Sequence, residues 1–525
     1  LKFKALGLLF RTVQYLKPIQ VLYQLINRLG PPKAKGRAPS QVSSLTFKGL
    51  AFAGDIKLEA KNRFTFLNKS HRFDQALDWN FSEFGKLWTY NLNYFEYLHL
   101  GNLANEEKRR LIADQTQKKG ALFDAWEPYP ISLRSINWIR FISGQHQLLS
   151  EAENQYLYEG LSKLSARPEF HLLGNHLLEN AFALLMGGAY FNQNSWIKQA
   201  QAILEYQLEE QILDDGAHFE LSPMYHCIML YRVLEAIDLL ENNEVTIVGN
   251  LKNFLRSKAQ SMLGHLEKIT FSDGSLPMVN DASPGVSPPP DYLFKYAKEL
   301  GLEWQAIGLS DSGYRIWRNL DFELFIDAGP VGPNYQPGHG HADTGNLILY
   351  YRGKPILVDT GTSTYQKDEI RQSERASTAH NVLTFQNENS SEVWGGFRVG
   401  RRASVNWFID HFGHWQFEHD GYRHFGLKVT RDIKASSTSI EVGDSWEGPI
   451  NEGMSSHWHF HPEVEVKVEG NQVILPAQAL VFNFSESVNL ELTYYQWAKA
   501  FNISVEGIKI VAHLTGPSQL SIKKL

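Results

Sequence analysis

Gly338-His339-Gly340-His341-Ala342-Asp343-Thr344-Gly345-Asn346 runs directly into Leu347-Ile348-Leu349-Tyr350-Tyr351. A turn at Arg352-Gly353-Lys354-Pro355 and a second run, Ile356-Leu357-Val358-Asp359, follow. Two apolar runs around a Gly/Pro turn predict a β-hairpin. The preceding loop holds two histidines one residue apart among glycines, which let backbone approach a ligand closely. Farther on, Ala379-His380-Asn381 leads another short strand, Val382 to Phe385. His341, Asp359 and His380 are ligand types that zinc prefers. Spacing alone does not assemble them. A hairpin centred on Gly353-Lys354 sets Asp359 opposite Ile348, so the loop must fold back for His341 to meet it. Loop histidines and an ordinary strand-end aspartate fit the same spacing.

Outward from this hairpin the hydrophobic period divides the chain. From about residue 311 onward, short alternating segments rich in Val, Ile, Thr, Phe and Trp read as strands. Examples are Tyr314 to Arg318, Phe322 to Asp327, Gly426 to Ile433 and Leu490 to Trp497. Many short strands with turn signals predict an antiparallel β-sandwich. Before about Leu302, helical periodicity dominates, as in Glu106 to Lys118, Ser132 to Leu149, Leu173 to Phe191 and Pro223 to Glu241. Amphipathic helices in series with short loops suit an α/α toroid, an incomplete helical barrel. Short strands are expected around Leu45 to Phe52 and Arg63 to Leu67. The expected divisions are an N-terminal helical arm and linker (1–44), a toroid (45–305) and a sandwich (306–525).

At 525 residues the chain exceeds one ordinary core. Its 43% hydrophobic and 21% charged content is that of a globular protein. A net charge of −6 gives no sign of nucleic-acid binding. Cys227 is the only cysteine, which excludes an intrachain disulfide and a cysteine-based metal cluster. No apolar run is long enough to span a membrane. Ala5 to Phe10 makes a poor signal peptide, so the expected compartment is bacterial cytoplasm or periplasm. Residues 1–30 alternate apolar and basic groups, broken at Pro18, and read as an amphipathic arm docked on the body. Contact with a membrane surface is its minority reading.

In the helical half, Gly174-Asn175-His176-Leu177-Leu178-Glu179-Asn180 opens a helix. His176 and Glu179 share a face, so Glu179 is expected to fix the imidazole tautomer. Asn175 can donate to a carboxylate, or simply cap the helix. In Ser222-Pro223-Met224-Tyr225-His226, Ser222 is an N-cap and Pro223 fits N1. Tyr225 then sits in the first turn, where the helix dipole favours tyrosinate. The arginines around the His380 strand, among them Arg375 and Arg398, suit carboxylate or sulfate. Together these residues fit proton abstraction beside a carboxylate, which needs a neutraliser, a base and an acid.

These motifs resemble the heparinase II/III-like polysaccharide lyases. The likeness rests on Asn175-His176 with Glu179, Ser222 to His226, Gly338 to Asp343 and Ala379 to Asn381, in that order from Leu87 onward. The resemblance implies β-elimination at a uronic acid in a cleft between toroid and sandwich, on an acidic polysaccharide. It implies a zinc, mainly structural, on His341, Asp359 and His380. Carried over by motif, Tyr225 is acid or base, His176 or His339 its partner, and Asn175 and Glu179 complete the catalytic set. His226, Arg375, Arg398 and the loosely matched Tyr365 are expected to bind substrate. Tyr15 to Gln20 and Ser391 to Arg402 look similar to an exopolysaccharide and capsule branch, which puts heparin or alginate in doubt as substrate. The rivals are a glycoside hydrolase using Asp214, Asp215 or Glu220, and a non-catalytic polysaccharide-binding or assembly protein.

Overall fold

The computed structural model describes residues 2–59, 62–246, 249–449 and 452–525. Helices fill the first part of the chain. They are α1 (Lys2–Val13), α2 (Pro18–Asn27), α3 (Lys86–Tyr94), α4 (Asn105–Gln117), α5 (Pro128–Gln145) and α6 (Glu151–Ala166). Then come α7 (Gly174–Phe191), α8 (Asn194–Gln211), α9 (Pro223–Asn242), α10 (Leu251–Ile269) and α11 (Pro290–Glu299). One short helix, α12 (Glu369–Glu374), lies among the later strands.

The middle of this series is α7, which packs on α5, α6, α8 and α9. Nearly all of it is buried, including Asn175, Glu179 and Asn180. Its Gly187-Gly188 pair permits this crowding. A Cβ on Gly187 would lie 2.4 Å from Leu161, and one on Gly188 would lie 2.7 Å from Ile197. The start of α9 follows the sequence rule: Ser222 Oγ accepts the Tyr225 N–H at 3.3 Å, and Pro223 needs no partner for its nitrogen.

The strands form three main sheets. One is Tyr314–Arg318, Phe322–Asp327, Asn346–Tyr351 and Lys354–Leu357, antiparallel and in that order. A second four-stranded sheet runs Val488–Ala500, Ile503–Leu514, Met454–His459, Leu383–Phe385. The third has eight strands, from Val405–His411 at one edge to Lys467–Glu469 at the other. The strands Gln472–Leu475, Leu480–Phe484 and Ser518–Lys524 belong to the eight-stranded sheet. The segment Leu45–Phe52, expected as a strand, has no strand pairing; the small sheet nearby is Lys57–Glu59, Arg63–Phe66 and Lys69–Arg72. Leu45 to Phe52 is held by α9 instead: Asp238 accepts the Lys48 and Gly49 amides, and Tyr231 Oη accepts that of Phe52.

The first sheet joins the two parts. Phe325 and Ile348 belong to the core that runs through the helices. Their neighbours Leu324, Ile326, Leu347 and Leu349 belong to the core of the later sheets. Alternate side chains of a strand point to opposite faces, so this sheet is covered on both. That explains why Leu347 to Tyr351 reads as a continuous apolar run rather than an alternating one.

Its hairpin differs from the simple reading. The turn is centred on Arg352-Gly353, both at positive φ (51° and 71°), with Tyr351 opposite Lys354. A register shift between Leu349 and Tyr350 follows. Asp359 therefore falls beside Asn346, whose Nδ2 donates to Asp359 Oδ2 at 2.6 Å, and not opposite Ile348. Arg431 in the eight-stranded sheet braces this region. It forms a bidentate pair with Asp444 (2.7 and 2.8 Å) and donates to the carbonyls of Gly345 (2.7 Å) and Asn381 (2.6 Å).

Candidate active site

Asn175, His176, Glu179, Tyr225, His339 and Tyr365 line one cleft. The helical half supplies the first four, from the starts of α7 and α9. The loops of the strand half supply His339 and Tyr365, together with Phe397 and Phe501. Tyr225 and His339 stack with ring centroids 4.0 Å apart, and Tyr225 Oη lies 3.3 Å from Tyr365 Oη.

Asp281, between α10 and α11, ties these pieces together. Its backbone N–H donates to the His339 carbonyl (3.1 Å), and its carbonyl accepts from Ser222 Oγ (2.7 Å). Its carboxylate meets His339 Nδ1 at 2.8 Å and His341 Nε2 at 3.0 Å, and forms a bidentate pair with Arg371. Asp281 and Arg371 are fully buried. Burial alone would raise the carboxyl's pKa, but Arg371 and the two histidines hold it well below the usual carboxylate range. Neighbouring Asn280 fixes the next loop residue by accepting the His341 N–H at 2.8 Å. Sequence reasoning gave Asn280-Asp281 no functional role. Its one signal was two adjacent side-chain acceptors in an otherwise apolar stretch.

Glu220 plays a matching part on the helical side. It is 1% exposed and accepts the Asn175 backbone N–H (3.1 Å) and Asn175 Nδ2 (3.0 and 3.2 Å). Its carboxyl group thus sits at the N-terminus of α7. Its Oε2 lies 3.5 Å from His339 Nε2.

Several expectations need correcting. Glu179 does not orient His176. Its carboxylate is taken by Arg232 at 3.0 and 3.1 Å, while His176 Nδ1 meets Glu169 Oε1 at 3.2 Å. Burial opposes a charge on His176, but Glu169 outweighs it and raises the imidazole above its ordinary value. His226 is core: its Nδ1 accepts the His218 N–H and its Nε2 faces the Met262 carbonyl, away from the cleft lining. Arg375 is buried and holds the Gly340 carbonyl (2.8 Å), so it braces the histidine loop and lies outside the cleft lining. Arg398 is exposed and stacks on Trp394 (4.7 Å) outside the cleft lining. The Tyr225 phenol is not depressed by its helix terminus. Burial, with Asp281 and Glu220 nearby, pushes it up.

The hydrolase candidates are also committed elsewhere. Asp215 accepts from the Ser310 and Ser312 amides and from Ser312 Oγ, and Glu220 holds Asn175. Neither they nor Asp214 lines the cleft.

The metal question turns on atoms beneath the histidine loop. His341 Nδ1, Asp343 Oδ2 and His380 Nε2 are buried and have no hydrogen-bond partner among the described residues. Asp343, Asp359 and His380 offer ligand atoms all within 4.8 Å of one another, and the His341 and His380 rings are 5.3 Å apart. Asp359 already accepts from Asn346, Gly361 (2.9 Å) and His380 Nδ1 (2.7 Å). Burial, with Asp359 beside it, pushes the Asp343 carboxyl up to about 6, and burial lowers His341 to about 4. A neutral imidazole and crowded carboxylates are what a divalent cation relieves. Asp343, Asp359 and His380 form a donor set that fits zinc; His341, expected as a ligand, lies beside them but outside the group whose ligand atoms fall within 4.8 Å, with its Nε2 on Asp281. Asp343 joins the residues expected from sequence.

Residues 113–292 match the family described as "Heparinase II/III N-terminus", and residues 303–522 match "Heparinase II/III-like, C-terminal". The chain belongs to the heparinase II/III family. It is similar to a "Heparin-sulfate lyase" of Bacteroides stercoris, 24% identical over 356 residues, covering 58% of this chain and 50% of that protein. A "Heparin-sulfate lyase" of Pedobacter heparinus is 27% identical over 248 residues, 41% of this chain and 36% of that one. The chain spans half or less of the length of these curated relatives. Among solved structures, heparinase III matches with a TM-score of 0.68 at 16% identity, covering 86% of this chain and 80% of that one. The heparan sulfate lyase HepC of Pedobacter heparinus matches with 0.56 at 18%, covering 87% and 79%. At these identities the likeness is one of fold.

Two predictions follow from this geometry. Asp281→Asn strands a buried guanidinium, and urea unfolding should show a loss of roughly 3–5 kcal/mol; a loss under about 1 kcal/mol contradicts the anchoring role. Elemental analysis of protein purified without chelator should give about one zinc per chain, falling in a His380→Ala variant. Metal-free protein of unchanged thermal stability contradicts the metal reading.

Proposed function

We propose that this chain is a polysaccharide lyase that cleaves a uronic-acid-containing polysaccharide by β-elimination. The observation that carries the reading is the stacked Tyr225–His339 pair, in one cleft with Asn175 and His176. The lyases named among its relatives support it. We read residues 45–305 as an α/α toroid and 306–525 as a β-sandwich, with the cleft between them.

β-Elimination removes the proton on C5 of the uronate and expels the oxygen on C4. Negative charge builds on the carboxylate as the proton leaves. His176, biased toward its cationic form by Glu169, and the Asn175 amide at the positive end of α7 are placed to neutralise it. His339 is the base: Asp281 takes its Nδ1–H, which fixes the tautomer with Nε2 as acceptor. Tyr225 is the acid. Its raised pKa keeps the phenol protonated, and it can hand that proton to the departing oxygen. A zinc bound by Asp343, Asp359 and His380, beside His341, would supply structural charge that pins the loop carrying His339.

The charge of the cleft bears on substrate. Arg232 is the lone arginine in its described lining, and Glu179 and Glu235 occupy it. Among the described residues no lysine lines it, while Asp55 and Glu96 do; Lys69, Lys86 and Lys367 line the adjoining pocket. Burial pushes Glu96 up to about 7, against the pull of Arg232. This favours a uronate polymer with little or no sulfate over the heparin sulfate of the relatives' names. The two segments similar to the exopolysaccharide branch pack together through Arg402 over Tyr15 at 3.9 Å, and we extend the proposal to polymers of that kind.

Incubation with a panel of sulfated and unsulfated uronate polymers should yield an ultraviolet-absorbing unsaturated uronate from an unsulfated member. Tyr225→Phe should lower that rate by roughly a hundredfold or more, with the fold unchanged by circular dichroism. New reducing ends without ultraviolet absorbance would make it a hydrolase. Near-normal turnover by Tyr225→Phe would remove the tyrosine from the mechanism.

A further inference from the structure

The N-terminal arm is mounted the wrong way round for a helix that only packs. A docked amphipathic helix turns its apolar stripe to the core. Here α1 and α2 are fixed largely by polar contacts; Tyr23 packs on Phe170 (ring centroids 4.9 Å apart), but a row of apolar residues on each helix faces solvent. Arg11 forms a bidentate pair with Glu392 (2.8 and 2.6 Å), and Thr12 Oγ1 accepts from Trp394 Nε1 (3.1 Å). Lys17 pairs with Glu210, and buried Gln20 donates to the Leu172 and Tyr335 carbonyls. The arm thereby touches both the helical half and the strand half.

On the outer side of α1, Leu6, Leu9, Phe10 and Val13 are 62, 44, 67 and 43% exposed. Their i, i+3, i+4, i+7 spacing makes one continuous stripe. On α2 and just beyond it, Leu22, Leu25 and Leu29 are 52, 54 and 82% exposed, again on one face. A contiguous apolar surface of this kind marks a binding face.

Charge identifies the occupant. Nine lysines and arginines precede Asp55, and no aspartate or glutamate does. Arg28, Lys33, Lys35 and Arg37 are exposed and have no carboxylate partner among the described residues. A leucine-rich face flanked by unpaired cations matches an anionic bilayer surface, where acyl chains accept the leucines and headgroups the cations. Among the described residues no helix is long and apolar enough to cross a membrane, so the geometry is that of helices lying in the interface.

We propose that α1, α2 and the basic segment after them form a foot that binds an anionic lipid bilayer. The foot reaches the cleft through one hairpin: Trp394 bonds Thr12, and Phe397, three residues on, lines the cleft. Binding would hold the cleft beside the membrane, where a polymer emerging from or attached to that surface is met.

The test is flotation of the 525-residue chain with vesicles of phosphatidylcholine alone, or with about 30% phosphatidylglycerol. Association should be about tenfold or more stronger with the anionic vesicles and fall at high salt. The double variant Leu22→Asp/Leu25→Asp should lose about tenfold or more of it. The triple variant Lys33→Glu/Lys35→Glu/Arg37→Glu should lose the preference for anionic lipid. Both should keep the wild-type circular dichroism and melting temperature. No flotation with either vesicle overturns the proposal, as does equal, salt-insensitive flotation with both. Sedimentation showing a dimer that Leu22→Asp/Leu25→Asp dissociates also overturns it, because a second copy would then own this face.

Discussion

One buried carboxylate organises the cleft. Asp281 spends its backbone N–H, its carbonyl and both carboxylate oxygens on partners from three separate stretches: Ser222 at the start of α9, the His339–His341 loop, and Arg371 of α12. A buried charge is tolerated only when it is paired and fully hydrogen-bonded. Asp281 meets that condition only if the helical and strand halves close on each other in this one arrangement. The stacking of Tyr225 on His339 follows: Ser222 caps the helix that carries the tyrosine, and Asp281 holds the imidazole.

The same logic recurs around it. Glu220 meets its need for donors at the N-terminus of α7, and so fixes Asn175. Glu169 meets part of its own at His176 and Asn180. Arg232, in the cleft wall, satisfies Glu179 and Glu235. Asn175, His176 and His339 are thus each held by a buried carboxylate. The exception is the group around Asp343, Asp359 and His380, where unpartnered atoms remain beside donors that could hold a cation.

Much of this was legible in the sequence, for identifiable reasons. The helix-to-strand change of period near residue 311 is visible because amphipathic helices and alternating strands leave different marks. The Ser222-Pro223 start of α9 is a local rule, and Tyr225 sits where that rule puts it. Partnerships across the fold were not legible. His176 and Glu179 share a helical face, but Arg232, 53 positions beyond Glu179, claims the glutamate. Glu169 lies before the helix begins and reaches back to the histidine. Asp281 carries no local signal of its role because its carboxylate partners lie 58 to 90 positions away. Arg375 was read as a substrate ligand because exposed and buried arginines look alike in sequence. Of the residues that could hold a metal, Asp359 and His380 have ligand chemistry readable in sequence, but Asp343 joins them only once the loop folds back onto Asn346.

The central claim is that Asp281 assembles a cleft in which a uronate is held for elimination. The most direct measurement is a crystal structure of the Tyr225→Phe variant with a uronate oligosaccharide. The account predicts the sugar carboxylate against Asn175 and His176, C5 within about 3.5 Å of His339 Nε2, and the C4 oxygen facing the edge of ring 225. A sugar bound outside this cleft, or a carboxylate turned toward Asp55 and Glu96, would contradict it.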